Sequence, residues 1–350
     1  MKNQAIQKLL PILAPPITSY QQIALPLAVA MQNPTAENWL YSNYIQVFCV
    51  NRRHYLASGN RDNALHYSFY NPEITLLEPA DHICIEGREQ LYLFKDPDFV
   101  KEAIGAGWYL YTDADMFYID GSNGFGQAHY PHDLLIYGYD EENVYLHMYG
   151  ESKLTSHRVS YGSFLKGYYS ECCDEDTYRD RAILFRPNGK DCAANLGRIR
   201  WHMHDYLDGT ETFARENPDI FNPHSLTMNG IDTYEEFVEL LDYAMENEEK
   251  DLRRTDLYCL YEHKKLMLDR VVYLRGKGLL SASDRLLEEL GSVKGLSQTL
   301  MLLGLKVNAL RDSEKKDTAL MSMKEKLKDL KGREKAAWYR YIDENREVLG

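Results

Sequence analysis

The spacing of apolar positions changes character near residue 195. Before it, short runs rich in Val, Ile, Tyr and Phe alternate with turns of Gly, Pro, Asn and Asp. After it, apolar residues recur at helical spacing over long stretches. The contrast predicts an α+β first domain, residues 1–194, followed by an α-helical domain, residues 195–350. In the first, Ser19 to Gln32 reads as a helix with Ile23, Leu27 and Met31 on one face, interrupted by Pro26. Trp39 to Val50 is apolar enough to be buried. Pro97, Asp98 and Phe99 open a short helix through Ala106, because proline and an acid both suit a first turn. Gly105 and Gly107 stop it, and Trp108 to Thr112 follows as a strand.

A Gly-, Ser- and Asn-rich loop, Asp120 to Tyr130, leads into two β-rich runs, Asp133 to Tyr139 and Val144 to Tyr149. The four residues Asp140 to Asn143 between them form a hairpin turn. Ser160 to Tyr169 reads as a short helix and Ala182 to Arg186 as a closing strand. In the second half, helices are expected over Leu196 to Leu207, from Asp232 with Phe237, Leu240, Leu241 and Ala244 inward, and over Leu257 to Arg275. Ser283 to Leu290 and Ser297 to Leu310 add two more. The last, Lys315 to Glu344, is long and mostly polar, either lightly packed on the body or free to mediate homo-oligomer formation.

Composition narrows the partners. A net charge of -13 argues against nucleic acid and anionic membrane surfaces, which need clustered Lys and Arg. No apolar run reaches the roughly 20 residues that span a bilayer, and prolines at 11, 15 and 16 break up the apolar start of the chain. The six cysteines contain no Cys-x-x-Cys pair, a pattern of reduced thiols in a soluble cytoplasmic protein. Tyrosine is the outlier at 27 residues; its ring and polar tip suit half-buried strands and polar-lined pockets.

The candidate chemistry centres on His132, in Tyr130-Pro-His-Asp-Leu-Leu-Ile-Tyr-Gly-Tyr-Asp140. A histidine at the start of one strand, followed by a returning strand, is how a half-barrel presents a general base. Asp133 is adjacent, and neighbouring strand residues point to opposite faces, so it is not expected to orient His132. His129 is expected to be solvated. His202 and His204 diverge on a helix at i, i+2 and are not expected to share a metal. The Gly121 to Gly126 segment matches no phosphate loop, because no Lys-Ser/Thr helix start follows it. No metal or cofactor is expected.

Gly107-Trp-Tyr-Leu, the Gly-rich loop, the His132 stretch and Ser160-Tyr-Gly-Ser-Phe164 together resemble the papain-like N-terminal domain of butirosin-biosynthesis acyltransferases. They are also similar to the related bacteriocin-processing-peptidase-like proteins of bacterial peptide pathways. The resemblance covers roughly Ile17 to Tyr169 and implies a papain-like (cysteine-protease-like) fold. It further implies transfer of an acyl or aminoacyl group from a carrier protein or peptide synthetase to an amine, through a cysteine at a helix start. His132 matches the histidine. The stretch Pro16 to Leu25 holds no cysteine, leaving Ser19 in the first turn or Cys49 in Val47-Phe-Cys-Val50 as nucleophile. Cys84 is read as structural, and Cys172 with Cys173 as a flexible surface thiol pair. The orienting acid expected on the next strand falls near His147 or Met148. The groups expected to face a small-molecule or peptide substrate are Tyr20, Gln22, Asp120, Tyr130 and Tyr149. Three functions follow: an active acyltransferase, a catalytically inactive binding module on the same fold (a pseudoenzyme), or an amidohydrolase or peptidase that uses water as acceptor.

Overall fold

The computed structural model describes residues 7–52, 65–70, 85–91, 98–150, 153–173, 181–216, 227–247 and 251–350. Helix and strand are mixed, as an α+β chain requires. Two compact units divide it: Met1–Trp39 with Glu73–Ala193, and Leu40–Pro72 with Ala194–Gly350. One change of unit coincides with the break in apolar spacing near residue 195. The segment Leu40–Pro72 groups with the second unit, which the expected division at residues 194 and 195 did not separate.

The first unit is built on an antiparallel sheet. Its strands are β1 (Lys8–Leu9), β4 (Ile85–Leu91), β5 (Tyr109–Asp115), β6 (Pro131–Tyr139), β7 (Asn143–Tyr149), β8 (Leu154–Ser160) and β9 (Arg181–Pro187), in the order β4-β9-β5-β6-β7-β8, with β1 on the far end of β6. Here β2 and β3 denote strands of the second unit. Residues 134, 136, 144, 146, 148 and 159 share one face of the sheet with the period of two that a pleated strand imposes. They pack on α3 (Asp98–Gly105) and α4 (Tyr161–Tyr168) through Val100, Ile104, Phe164 and Tyr168. The helix α1 (Gln21–Ala30) lies against β6, β7 and β9. Nine of its ten residues, Gln21 included, are buried. β1, β4 and β8 were not foreseen. β8, Leu-Thr-Ser-His-Arg-Val-Ser, is mostly polar because it is the sheet's edge.

The hairpin turn is fixed by Asp140. Its carboxylate accepts from the Glu142 and Asn143 backbone N–H groups at 2.9 and 2.8 Å, from the Asn143 amide, from the Tyr145 hydroxyl and from Arg158. Gly138 precedes it because β1 crosses there: a Cβ would meet the Leu9 side chain and the Lys8 carbonyl oxygen, the latter at 2.8 Å.

The second unit is mainly helical but also contains a three-stranded sheet, β10 (Thr227–Asn229), β2 (Val47–Val50) and β3 (Ser68–Phe69). Its helices are α5 (Leu196–Asp208), α6 (Thr212–Glu216), α7 (Thr233–Glu246), α8 (Arg254–Gly276), α9 (Asp284–Ala309), α10 (Ser313–Glu344) and α11 (Arg346–Leu349); α2 is Ala36–Ser42. The two helices expected between Ser283 and Leu310 are one, α9. Val293 and Ser297 are buried across the expected break, and that packing outweighs the helix-weakening glycines 291 and 295. The long polar helix α10 is also better packed than expected. Leu320, Met323, Leu327, Leu330, Glu334, Ala337, Trp338 and Tyr341 form a continuous buried stripe that recurs every three or four residues, with Ala337 and Trp338 adjacent. Within it Glu334, fully buried, pairs with fully buried Lys264 at 2.9 Å and accepts from the Tyr234 hydroxyl at 2.6 Å and from Trp338. Burial pulls the Lys264 ammonium below its ordinary pKa, and Glu334 opposes that fall. Among the described residues, no helix is long and apolar enough to cross a membrane.

Candidate functional site

The site lies in the first unit, where β6 runs past the end of its ladder with β7. The ladder pairs Leu135 with His147 and Ile136 with Leu146, and stops there. Continued in register, Asp133 would oppose Tyr149. Instead, the Gln21 side chain from the first turn of α1 bridges the two strands. Its Oε1 accepts from the Tyr149 backbone N–H, and its Nε2 donates to the Asp133 carbonyl at 2.6 Å and to Asp133 Oδ1 at 2.9 Å. A side-chain carboxamide has the same donor and acceptor as a peptide group, so Gln21 replaces the missing rung.

That arrangement frees the Asp133 carboxylate to turn toward His132. Asp133 Oδ1 lies 2.6 Å from His132 Nδ1, and Oδ2 accepts from the Tyr111 hydroxyl at 2.8 Å. The contact overturns the expectation that alternate faces keep the two residues apart. Face alternation governs Cβ directions, but at a strand start unpaired on the β7 side both side chains can fold round to meet. Gln21 Nε2 also comes within 2.8 Å of His132 Nδ1. Both of its hydrogens are already directed at Asp133, and His132 Nδ1 carries the proton donated to Asp133. Both contacts are made by Nδ1, which leaves Nε2 for an incoming group, and the side chain is 45% exposed.

The electrostatics follow from this geometry. The Asp133 hydrogen bond holds the His132 pKa above the ordinary histidine value; burial pulls the other way, and the charges of Asp133 and Asp113 add to the rise. For Asp133, burial pushes the carboxyl up, but hydrogen bonds from His132, Gln21 and Tyr111 and the His132 charge hold it below the ordinary value. The resting pair is imidazolium and carboxylate under mildly acidic conditions. Such a histidine can donate from Nε2 to an acceptor and, once neutral, can accept a proton there.

The structure draws some of the sequence candidates together. Tyr130 packs edge-on to the His132 ring, with centroids 6.4 Å apart. Tyr149 supplies the backbone N–H held by Gln21. Tyr20 is the N-cap residue of α1, directly before Gln21, and Gln22 is exposed in the same turn. Ser19 is buried at 7% exposure and is not among the hydrogen-bond partners of His132. Asp120 is exposed, and its charge acts on His157. Cys49 belongs to the second unit, on β2, and its thiol is fully buried. Burial first, and then the charges of Glu236 and Asp256, push that thiol well above the ordinary value, against nucleophilic use. Cys84 lies outside the described residues. No thiol or hydroxyl is hydrogen-bonded to His132 among the described residues.

His147, at the place expected for an acid, contacts Ser156 at 3.2 Å. Burial, reinforced by His157, lowers its pKa to about 4. His129 is not simply solvated: its Nδ1 lies 2.7 Å from fully buried Asp115, and its ring stacks on Phe117. His202 and His204 go to separate partners, Glu216 and the Leu349 carbonyl, each at 2.8 Å. Cys192 is disulfide-bonded, unlike the reduced set expected.

Gln21, Asp133 and Tyr111 were missed as site residues. One signal was present: Gln21 opens a helix, Gln-Gln-Ile-Ala-Leu-Pro-Leu-Ala-Val-Ala, that is apolar nearly all round. A buried polar residue in such a helix must find a partner. Set against known proteins, the chain matches no protein-family model and no curated protein sequence.

Proposed function

We propose that the first unit is a papain-like domain that keeps the histidine of an acyltransferase and has lost its nucleophile. It then acts as a binding module of a bacterial peptide-metabolite pathway and holds a carrier-linked acyl group or peptide. The observation that carries this reading is the Gln21 carboxamide. It occupies the helix start facing His132, where the resemblance calls for a cysteine, and is committed to three polar groups, the Tyr149 N–H and the carbonyl and carboxylate of Asp133. His132 remains as a hydrogen-bond donor for a carbonyl or carboxylate, flanked by the Tyr130 ring.

The discriminating experiment uses an acyl-N-acetylcysteamine thioester, a small mimic of a carrier-linked acyl group, with the intact protein. The module binds the thioester, loses affinity when His132 is replaced by Ala, and releases no thiol above the rate of buffer. Enzymatic thiol release that is abolished by His132→Ala would overturn the module and restore the active acyltransferase. Release that needs no amine would single out a hydrolase.

A further inference from the structure

A second cluster in the first unit has no part in that reading. At the end of α4 the chain makes a tight turn, with the Cys173 backbone N–H donating to the Ser170 carbonyl at 3.0 Å. Cys172 and Cys173 are neighbours in sequence, and burial raises both thiols above the ordinary value, Cys173 to about 12. Cys173 is fully buried, with its thiol 3.6 Å from the Gly167 carbonyl, whereas Cys172 is half-buried. These burials correct the expectation of a flexible surface pair. Cys172 Sγ is also 3.6 Å from Ser170 Oγ, and that hydroxyl donates to Asp115 Oδ2 at 2.6 Å. Asp115 is fully buried and holds His129 and the Phe117 backbone N–H.

We propose that Cys172 and Cys173 form a redox pair, closed to an intrachain disulfide by a small-molecule disulfide such as oxidised glutathione. Because burial raises both thiols, the exchange runs in alkaline solution, where thiolate forms, and unequal exposure sets the order of events. The Cys172 thiolate attacks one sulfur of the reagent, forming a mixed disulfide and expelling one thiolate. The Cys173 thiolate then attacks Cys172 Sγ and expels the second. Two protein thiols are oxidised, one reagent disulfide is reduced to two thiols, and both protons pass to the leaving thiolates. Adjacent Cα atoms sit about 3.8 Å apart, closer than in ordinary disulfides, so the eight-membered ring is strained and readily reopened by a dithiol. Closing it draws Cys172 Sγ toward Cys173 and away from Ser170, which links the pair to the Asp115–His129 contact.

The test treats the full-length protein with oxidised glutathione in alkaline solution, alkylates the remaining thiols and maps peptides by mass. In the wild type, the peptide holding residues 172 and 173 should lose two hydrogens and regain them with dithiothreitol. Cys173→Ser should stop at a stable glutathione adduct on Cys172, and Cys172→Ser should leave Cys173 unmodified. A wild-type protein that retains the adduct, or stays unmodified at both positions, overturns the proposal, and this needs no variant to fold. The His129 Cε1–H resonance should move on oxidation; an unmoved resonance overturns the link to Asp115.

Discussion

Replacing Asp133 by Asn tests the electrostatic core of the site directly. The change keeps the shape and an acceptor for His132 Nδ1–H but removes the negative charge 2.6 Å away. The hydrogen bond to Asp133 and then its charge favour the imidazolium, so the substitution should lower the His132 pKa toward the ordinary histidine value, while the remaining Asp113 charge keeps part of the rise. The chain contains 11 histidines, so the assay is an NMR titration of labelled imidazoles with His132 assigned by the peak lost in His132→Gln. The pair also has a stability signature. His132 is raised, so its contribution is full below the ordinary histidine value of about 6.5 and fades as pH rises through its folded value. Asp133 is lowered, so its contribution is full above about 3.9 and fades as pH falls through its folded value. The pair therefore stabilises most between those limits, and Asp133→Asn should lower the melting temperature most there and flatten the decline on either side. A His132 pKa that stays put or rises in the variant would refute the assignment of its Nδ1 proton to Asp133.

Three further outcomes rest on other contacts. Gln21→Ala removes the hydrogen bonds that Gln21 makes to the Tyr149 N–H and the Asp133 carbonyl, at a cost of about 2–4 kcal/mol. A melting temperature within a degree or so of wild type would show that the strands close the gap themselves. Asp140→Ala removes the acceptor for two turn N–H groups and should cost about 2 kcal/mol in urea denaturation. Because hydrogen bonding holds the Asp140 carboxyl below its ordinary value despite the opposing push of burial, the loss should shrink in acid; a constant difference down to low pH would contradict this. Glu334→Gln strands the buried Lys264 charge and should cost about 3–5 kcal/mol, whereas Lys264→Met combined with Glu334→Leu should cost less than the two single changes summed. Additive losses in the double variant would count against a buried ion pair.

The hairpin, the Gly-rich loop and most helices were legible because each rests on local physics: period two, period near four, or a turn residue. Ser160 caps α4 through its side chain, accepting from the Ser163 N–H, and Asn195 does the same for α5 with Arg198. The edge strand β8 was not legible, since a half-solvated strand carries little apolar periodicity. Nor was the passage of Leu40–Pro72 into the second unit. That depends on pairings distant in sequence, such as Cys49 with Met228.

Local reasoning failed most instructively at the site, where alternation along β6 kept Asp133 away from His132. Alternation is a property of a paired ladder, and it loosens where the ladder ends. Asp133 and Tyr149, which lie just beyond the last β6–β7 pair, are the residues that gather around Gln21. A position that bridges two strands and also contacts a histidine is subject to two demands at once. A cysteine there could serve the imidazole but could not span from the Asp133 carbonyl to the Tyr149 N–H, because a thiol is one weak group on a short stem. Glutamine spans the gap and forgoes nucleophilic chemistry. On the proposed reading, the side chain that completes this sheet stands where the resemblance calls for a reactive group, and a binding role for His132 follows more directly from that trade than an acyl transfer does.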